Sequence, residues 1–173
     1  MSSIKIMIAD ITAMDTDCIV NAANSQLQQG GGVCGAIFRV ADGRKLQAAC
    51  DKIGYCPTGS AVITPSFGLA TRHIVHAVGP VWRGGGNNEG ELLYSCYRES
   101  LDRAKENGCH SIAFPLISSG IFGYPKEDAW RKALQSCSDW IGGNPAYEMD
   151  VIFTVLDQGA KDLGDGTLAA LQK

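Results

Sequence analysis

The sequence holds no apolar run near the roughly 20 residues that a membrane-spanning helix requires, so helical insertion into a membrane is excluded. Aromatics are sparse at 8%, and only three histidines occur in 173 residues. The seven cysteines (Cys18, Cys34, Cys50, Cys56, Cys96, Cys109, Cys137) include no Cys-x-x-Cys pair. An odd set with such spacing suits neither zinc nor a disulfide framework, so no metal is expected and most of the thiols read as reduced, buried, small apolar groups. Positive charge is not in excess either, since 15 Lys and Arg face 18 Asp and Glu for a net charge of −3. That balance argues against a broad basic face for duplex nucleic acid, and any anionic ligand must be held by local devices. The opening residues Met1-Ser2-Ser3-Ile4-Lys5 lack the charged and apolar regions of a secretory signal, which leads to the expectation of a cytoplasmic protein.

The length fits one domain over residues 1–173, with a composition ordinary for a globular protein at 45% hydrophobic and 19% charged. Ile4–Ala9 alternates like a half-exposed strand, while Cys18–Val20, Ala61–Thr64, Ile74–Val78, Ile112–Phe114 and Val151–Leu156 resemble buried strands. Helical stripes lie between them. One joins Ala129, Trp130, Ala133, Leu134, Cys137, Trp140 and Ile141, beginning after Pro125 and stopping at Gly142; another joins Leu92, Leu93, Cys96, Tyr97, Leu101 and Ala104 and ends at Asn107-Gly108. A weaker helix places Ile37, Val40 and Ala41 on one face and breaks at Asp42-Gly43 before Leu46–Cys50. Strands and helices alternating in this way predict a three-layer α/β/α sandwich around a mixed, mostly parallel sheet. Val81–Gly90 reads as a flexible insertion.

Two glycine-rich stretches carry the chemistry. Asn21-Ala22-Ala23-Asn24 is followed by Gly30-Gly31-Gly32-Val33-Cys34-Gly35, which leads into a helix. Adjacent glycines let the backbone approach a ligand closely, and their amides with the helix start suit a phosphate. Gly30, Gly32 and Gly35 also satisfy the G-x-G-x-x-G spacing of a Rossmann site for NAD, and so of an oxidoreductase. That fold needs a strand running straight into the first glycine and an acidic residue ending a second strand about 20 positions on. Here the polar segment Asn24–Gln29 intervenes and Asp51 follows a helical segment, so the Rossmann reading is disfavoured. The second stretch, Ser118-Ser119-Gly120-Ile121-Phe122-Gly123-Tyr124-Pro125, leaves a buried strand and enters the strongest helix. Ligands of open α/β sheets bind at that edge, where two such loops could clamp a diphosphate without a cationic side chain.

Asp10-Ile11-Thr12, Val20-Asn21-Ala22-Ala23-Asn24, the triple glycine, His76-Ala77-Val78-Gly79-Pro80 and Ser119-Gly120-Ile121-Phe122-Gly123 occur in the order seen in macro domains. The chain resembles that family from about Lys5 to Asp157, and in particular its ADP-ribosyl-hydrolase and O-acetyl-ADP-ribose deacetylase branch. The resemblance implies a macro domain that binds ADP-ribose or its derivatives, free or carried on modified proteins, with no cofactor, as a monomer. It would place Asp10 on the adenine amino group and the Ile11 amide on the ring, and would put Leu156 where many relatives carry an aromatic over adenine. Gly31, Gly32 and Val33 would line the distal ribose and diphosphate from one side, and Ser119, Gly120, Ile121 and Phe122 from the other. Asn24 would orient the distal ribose, its amide offering both donor and acceptor to adjacent hydroxyls.

Related hydrolases carry an Asp at the position of Cys34 and often a His at that of Phe38; this chain has neither. The resemblance therefore implies two alternatives. One is metal-independent hydrolysis of mono-ADP-ribosyl esters, or deacetylation of O-acetyl-ADP-ribose, by attack of water; the other is a reader that binds ADP-ribose without turnover. Cys34, at a helix N-terminus, is also a candidate nucleophile, but a small side chain filling the space left by the Asp is the preferred reading, since no His lies near it in sequence to serve as base.

Overall fold

A computed structural model describes residues 1–173. Its strands are β1 (Ser3–Ile8), β2 (Cys18–Ala22), β3 (Ala61–Pro65), β4 (His73–Ala77), β5 (Ser111–Phe114) and β6 (Asp150–Val155). Its helices are α1 (Gly32–Val40), α2 (Gly43–Ile53), α3 (Glu89–Glu106), α4 (Lys126–Gly143) and α5 (Gln158–Leu171). The strands form one sheet in the order β1-β6-β5-β2-β4-β3, parallel throughout except for β3, which runs antiparallel to β4.

The central strands are buried on both faces, which is why they read as short apolar runs without clean alternation. Cys18 and Val20 of β2, Val75 and Ala77 of β4, and Ile112 and Phe114 of β5 point into a large core against α3, α4 and α5. Ile19, Ile74 and Ala113 point the other way, into a smaller core under α1 and α2. The expected three layers are therefore present. All seven cysteines are free and buried, where the sequence reading expected this of most of them.

Four local outcomes differ from the sequence reading or lay outside it. In α1 the buried residues are Cys34, Gly35, Ile37 and Phe38, whereas Val40 is 57% exposed. The helix is short and its last residue turns outward. The C-terminal helix α5 gave no sequence signal because Gly159, Gly164 and Gly166 lower its propensity. Gly164 nevertheless has a packing reason: a Cβ there would lie 2.7 Å from the Trp130 ring and 2.8 Å from Ile6, so α5 docks only through this gap. Leu156 falls one residue beyond β6 and is 83% exposed. Finally, the segment after Val81 is pinned: the Glu89 carboxylate accepts hydrogen bonds from the amides of Arg83 (2.8 Å), Gly85 (3.0 Å) and Asn87 (2.6 Å).

On the α1/α2 face the sheet also buries His76, which is 1% exposed. Asn21 Nδ2 lies 3.0 Å from its Nδ1 and Thr64 Oγ1 lies 3.0 Å from its Nε2. An amide can only donate to Nδ1, so the ring proton sits on Nε2 and goes to Thr64, whose hydroxyl donates to the Pro65 carbonyl at 3.0 Å. Burial pushes the His76 pKa down to about 4, so the ring is neutral. No helix is long and apolar enough to cross a membrane.

Candidate functional site

The parallel strands β1, β2, β5 and β6 direct their C-terminal ends to one edge of the sheet, and the loops after them gather there. After β1 comes Asp10, extended, with its carboxylate accepting from the Thr12 amide (2.9 Å) and hydroxyl (2.7 Å) through Oδ1. These bonds, the hydroxyl's above all, hold the Asp10 carboxyl below the usual carboxylate range. Asp10 thus has the turn-forming role that any Asp after a strand can have, while its second oxygen stays free and the residue stays exposed. Ile11 lies beside it, 6% exposed, in a short 3-10 turn over Ile11–Ala13.

After β2 the chain forms the first glycine loop. Asn24 closes its first turn, with Nδ2 donating to the Gln28 carbonyl at 2.9 Å and Oδ1 accepting from the Gln28 amide at 3.0 Å. One N–H and one lone pair remain on that amide group. Leu27 sits between them at φ +57°. Gln47 of α2 then clamps the loop, donating to the Leu27 carbonyl and accepting from the Gln29 amide, both at 3.0 Å, and Asp51 orients the Gln47 amide from 2.9 Å. Beyond this clamp no backbone amide from Gly30 to Cys34 donates a hydrogen bond within the chain. α1 starts here with Gly31 at its N-cap, no side-chain cap and no acidic residue in its first turn, so the positive end of the helix is left for an outside anion.

The second glycine loop follows β5. Its turn is built by Ser118 at φ +67°, by the Tyr124 amide donating to the Ser118 carbonyl (2.9 Å) and by the Gly123 amide donating to the Gly120 carbonyl (3.0 Å). Ser119 folds its hydroxyl back onto the Leu116 carbonyl at 2.8 Å. The amides of Gly120, Ile121 and Phe122 are left without acceptors. Ile121 is 90% exposed, and its Cδ1 lies 3.9 Å from where a Cβ on Gly31 would be. The two sets of unspent amides therefore meet across one cleft. They form an electropositive cradle of main-chain dipoles, which suits a diphosphate.

The fold thus brings Asn24, Gly31, Gly32, Val33, Ser119, Gly120, Ile121 and Phe122 to the two loops, and Asp10, Ile11 and Leu156 to the ends of β1 and β6 at the same edge. Cys34 takes the place of a small packing side chain. It is the third residue of α1, but it is 5% exposed, packs with the core under that helix and donates its thiol to the Gln28 carbonyl at 3.8 Å. The thiol belongs to the packing beneath the loop, because Cys34 shares with Ile37 and Phe38, at i+3 and i+4, the face of α1 that packs in the core. Nor does a histidine approach it: Cys50, not Cys34, faces the buried His76 ring, 3.9 Å from Nε2. Sequence reasoning did not single out Gln47 or Glu89 and weighed Asp51 only as the acid of a Rossmann site; the roles of Gln47 and Asp51 depend on which loop the fold lays beside α2.

A family model described as Macro domain matches residues 20–133. A macro domain-containing protein of Mesorhizobium japonicum is 47% identical over 173 residues, covering 100% of this chain and 97% of the relative. An O-acetyl-ADP-ribose deacetylase of Cronobacter turicensis is 49% identical over 159 residues, covering 90% of this chain and 89% of that protein. Among solved structures, an Oceanobacillus iheyensis macrodomain with ADP superposes with a TM-score of 0.91 at 36% identity, covering 99% of this chain and 92% of that one. A Trypanosoma brucei macrodomain in complex with ADP-ribose gives a TM-score of 0.84 at 33% identity, covering 94% of this chain and 68% of that one. The glycine repeat does not belong to a Rossmann site, and the sheet, the two loops and these similarities agree: the chain belongs to the macro domain family.

Proposed function

We propose that this chain binds ADP-ribose across the two glycine loops and, as one unit over residues 1–173, hydrolyses its O-acyl esters: O-acetyl-ADP-ribose, or ADP-ribose attached to protein carboxylates. The observation that carries the reading is the pair of facing amide sets, Gly30–Cys34 and Gly120–Phe122, none of which donates a hydrogen bond within the chain. Amides left free at the surface are available to an outside acceptor, and a diphosphate supplies several acceptors at once. The free oxygen of Asp10 receives the adenine amino group, and Leu156 covers the base with an aliphatic face. The remaining donor and acceptor of Asn24 meet the distal ribose hydroxyls.

Attack is by water. Its oxygen bonds to the acyl carbon, the bond from that carbon to the ribose oxygen breaks, and the ribose oxygen departs with one of the water protons, leaving acetate or a free protein carboxyl group and ADP-ribose. Because the Cys34 thiol is turned into the core, the water is oriented by Asn24, the loop backbone and a ligand phosphate oxygen. No metal enters this scheme. Incubation with O-acetyl-ADP-ribose and with a mono-ADP-ribosylated acceptor tests it, release faster than in buffer being the expected result. A reader without turnover is the second reading, favoured by the absence of an acidic side chain in the first loop, and release at the buffer rate together with binding would establish it.

A further inference from the structure

The segment between β4 and α3 folds around a buried charge. Glu89, first residue of α3, is 1% exposed. Its carboxylate takes the three amides of Arg83, Gly85 and Asn87, and residues 83–88 donate no backbone-to-backbone hydrogen bond of their own. These donors, Arg83's foremost, hold its carboxyl down at about 2. Gly84 and Gly85 adopt φ +96° and +93°, and Gly85 lies flat against Trp82, where a Cβ would be 3.0 Å from the ring.

Trp82 is the other end of the connection. Its amide donates to the Phe122 carbonyl at 2.8 Å, and its ring meets Tyr124 with centroids 4.7 Å apart and planes at 56°. Phe122 and Tyr124 flank Gly123, which turns at φ +74° to close the second glycine loop. The side of that loop away from the cleft is therefore shaped by a segment that a single carboxylate organises.

We propose that Glu89 is a positioning residue for the second glycine loop, acting through Gly85 and Trp82 on Phe122 and Tyr124 so that the amides of Gly120, Ile121 and Phe122 point into the cleft. The proposal rests on the reading that those amides receive the diphosphate. Glu89→Gln keeps the size of the side chain but sets an amide donor against one of the three amide donors.

The test combines amide NMR of the ligand-free protein with ADP-ribose titration well below the melting temperature. Glu89→Gln is expected to shift the signals of Gly120–Phe122 while leaving those of Gly30–Cys34 in place, and to weaken ADP-ribose binding roughly tenfold. Gly85→Ala, which presses on Trp82 without removing the carboxylate, is expected to move the same signals and serves if the glutamine variant does not fold. A lower melting temperature with unmoved signals and unchanged affinity would make Glu89 purely structural and overturn the proposal. If the wild type fails to bind ADP-ribose, the functional reading falls, whereas the response of the ligand-free Gly120–Phe122 signals still decides the role of Glu89.

Discussion

Asn24 grips the backbone of Gln28 from both ends, with its Nδ2 on the carbonyl at 2.9 Å and its Oδ1 on the amide at 3.0 Å. The same side chain that is proposed to meet the distal ribose therefore also holds the shape of the first glycine loop. Asn24→Ala removes both functions. Each lost hydrogen bond is worth about 1 kcal/mol, so the variant should lose about 2 kcal/mol of stability in denaturant unfolding, and its turnover should fall further than its ADP-ribose affinity. Asn24→Asp keeps the acceptor for the Gln28 amide but faces the Gln28 carbonyl without a donor, and it should fall between the two.

Gln47 gives a complementary case, since it touches the first loop only from behind. Gln47→Ala removes the bonds to Leu27 and Gln29, and about 1–2 kcal/mol of stability should go with them. Calorimetry should show weaker ADP-ribose binding. An unchanged affinity would mean that Asn24 alone suffices to hold the loop.

Cys34 separates thiol from water chemistry. With its thiol in the core and on the Gln28 carbonyl, Cys34→Ala should retain turnover at nearly the wild-type rate. Loss of turnover with ADP-ribose affinity intact would require a thiol mechanism instead.

The neutral His76 predicts an acid-sensitive fold. Its folded pKa of about 4 lies below the ordinary value of 6.5, so the unfolded chain binds the proton first. Stability from this group is complete above pH 6.5 and declines as pH falls toward 4, by about 3 kcal/mol in total. Urea unfolding measured between pH 7 and 5 should show this slope before the carboxylates begin to titrate. In His76→Gln the slope should vanish.

Gly164→Ala should destabilise by about 1–3 kcal/mol, because the added methyl must push Trp130 or Ile6 aside. Thermal unfolding reports this. ADP-ribose affinity should not change, as Gly164 packs on Trp130 and Ile6 in the core on the α3/α4 side of the sheet.

Much of this was legible in the order of residues. Short apolar runs such as Ile112–Phe114 announced strands covered on both faces, and the stripe from Ala129 to Ile141 announced α4. The two glycine stretches marked their loops because glycine is read locally, through φ and the absence of a Cβ. What stayed hidden is what depends on tertiary placement. Nothing local tells that Gln47 lies beside Leu27, or that the Cys34 thiol faces inward rather than toward the cleft. Likewise α5 is helical against its propensity, because Trp130 and Ile6 leave a groove that only a glycine-bearing helix can enter.

Each glycine loop is flanked by a side-chain-bearing residue in the left-handed region, Leu27 at φ +57° and Ser118 at φ +67°. Such residues store roughly 1–3 kcal/mol each, and the surrounding fold bears that cost whether or not a ligand is present. Ligand arrival then has little backbone left to order, so association should be fast and carry a small conformational entropy penalty. Relaxing Ser118, as in Ser118→Gly, would ease the folded chain while returning the ordering cost to the moment of binding, whereas Leu27 is 2% exposed and its side chain is needed in the core.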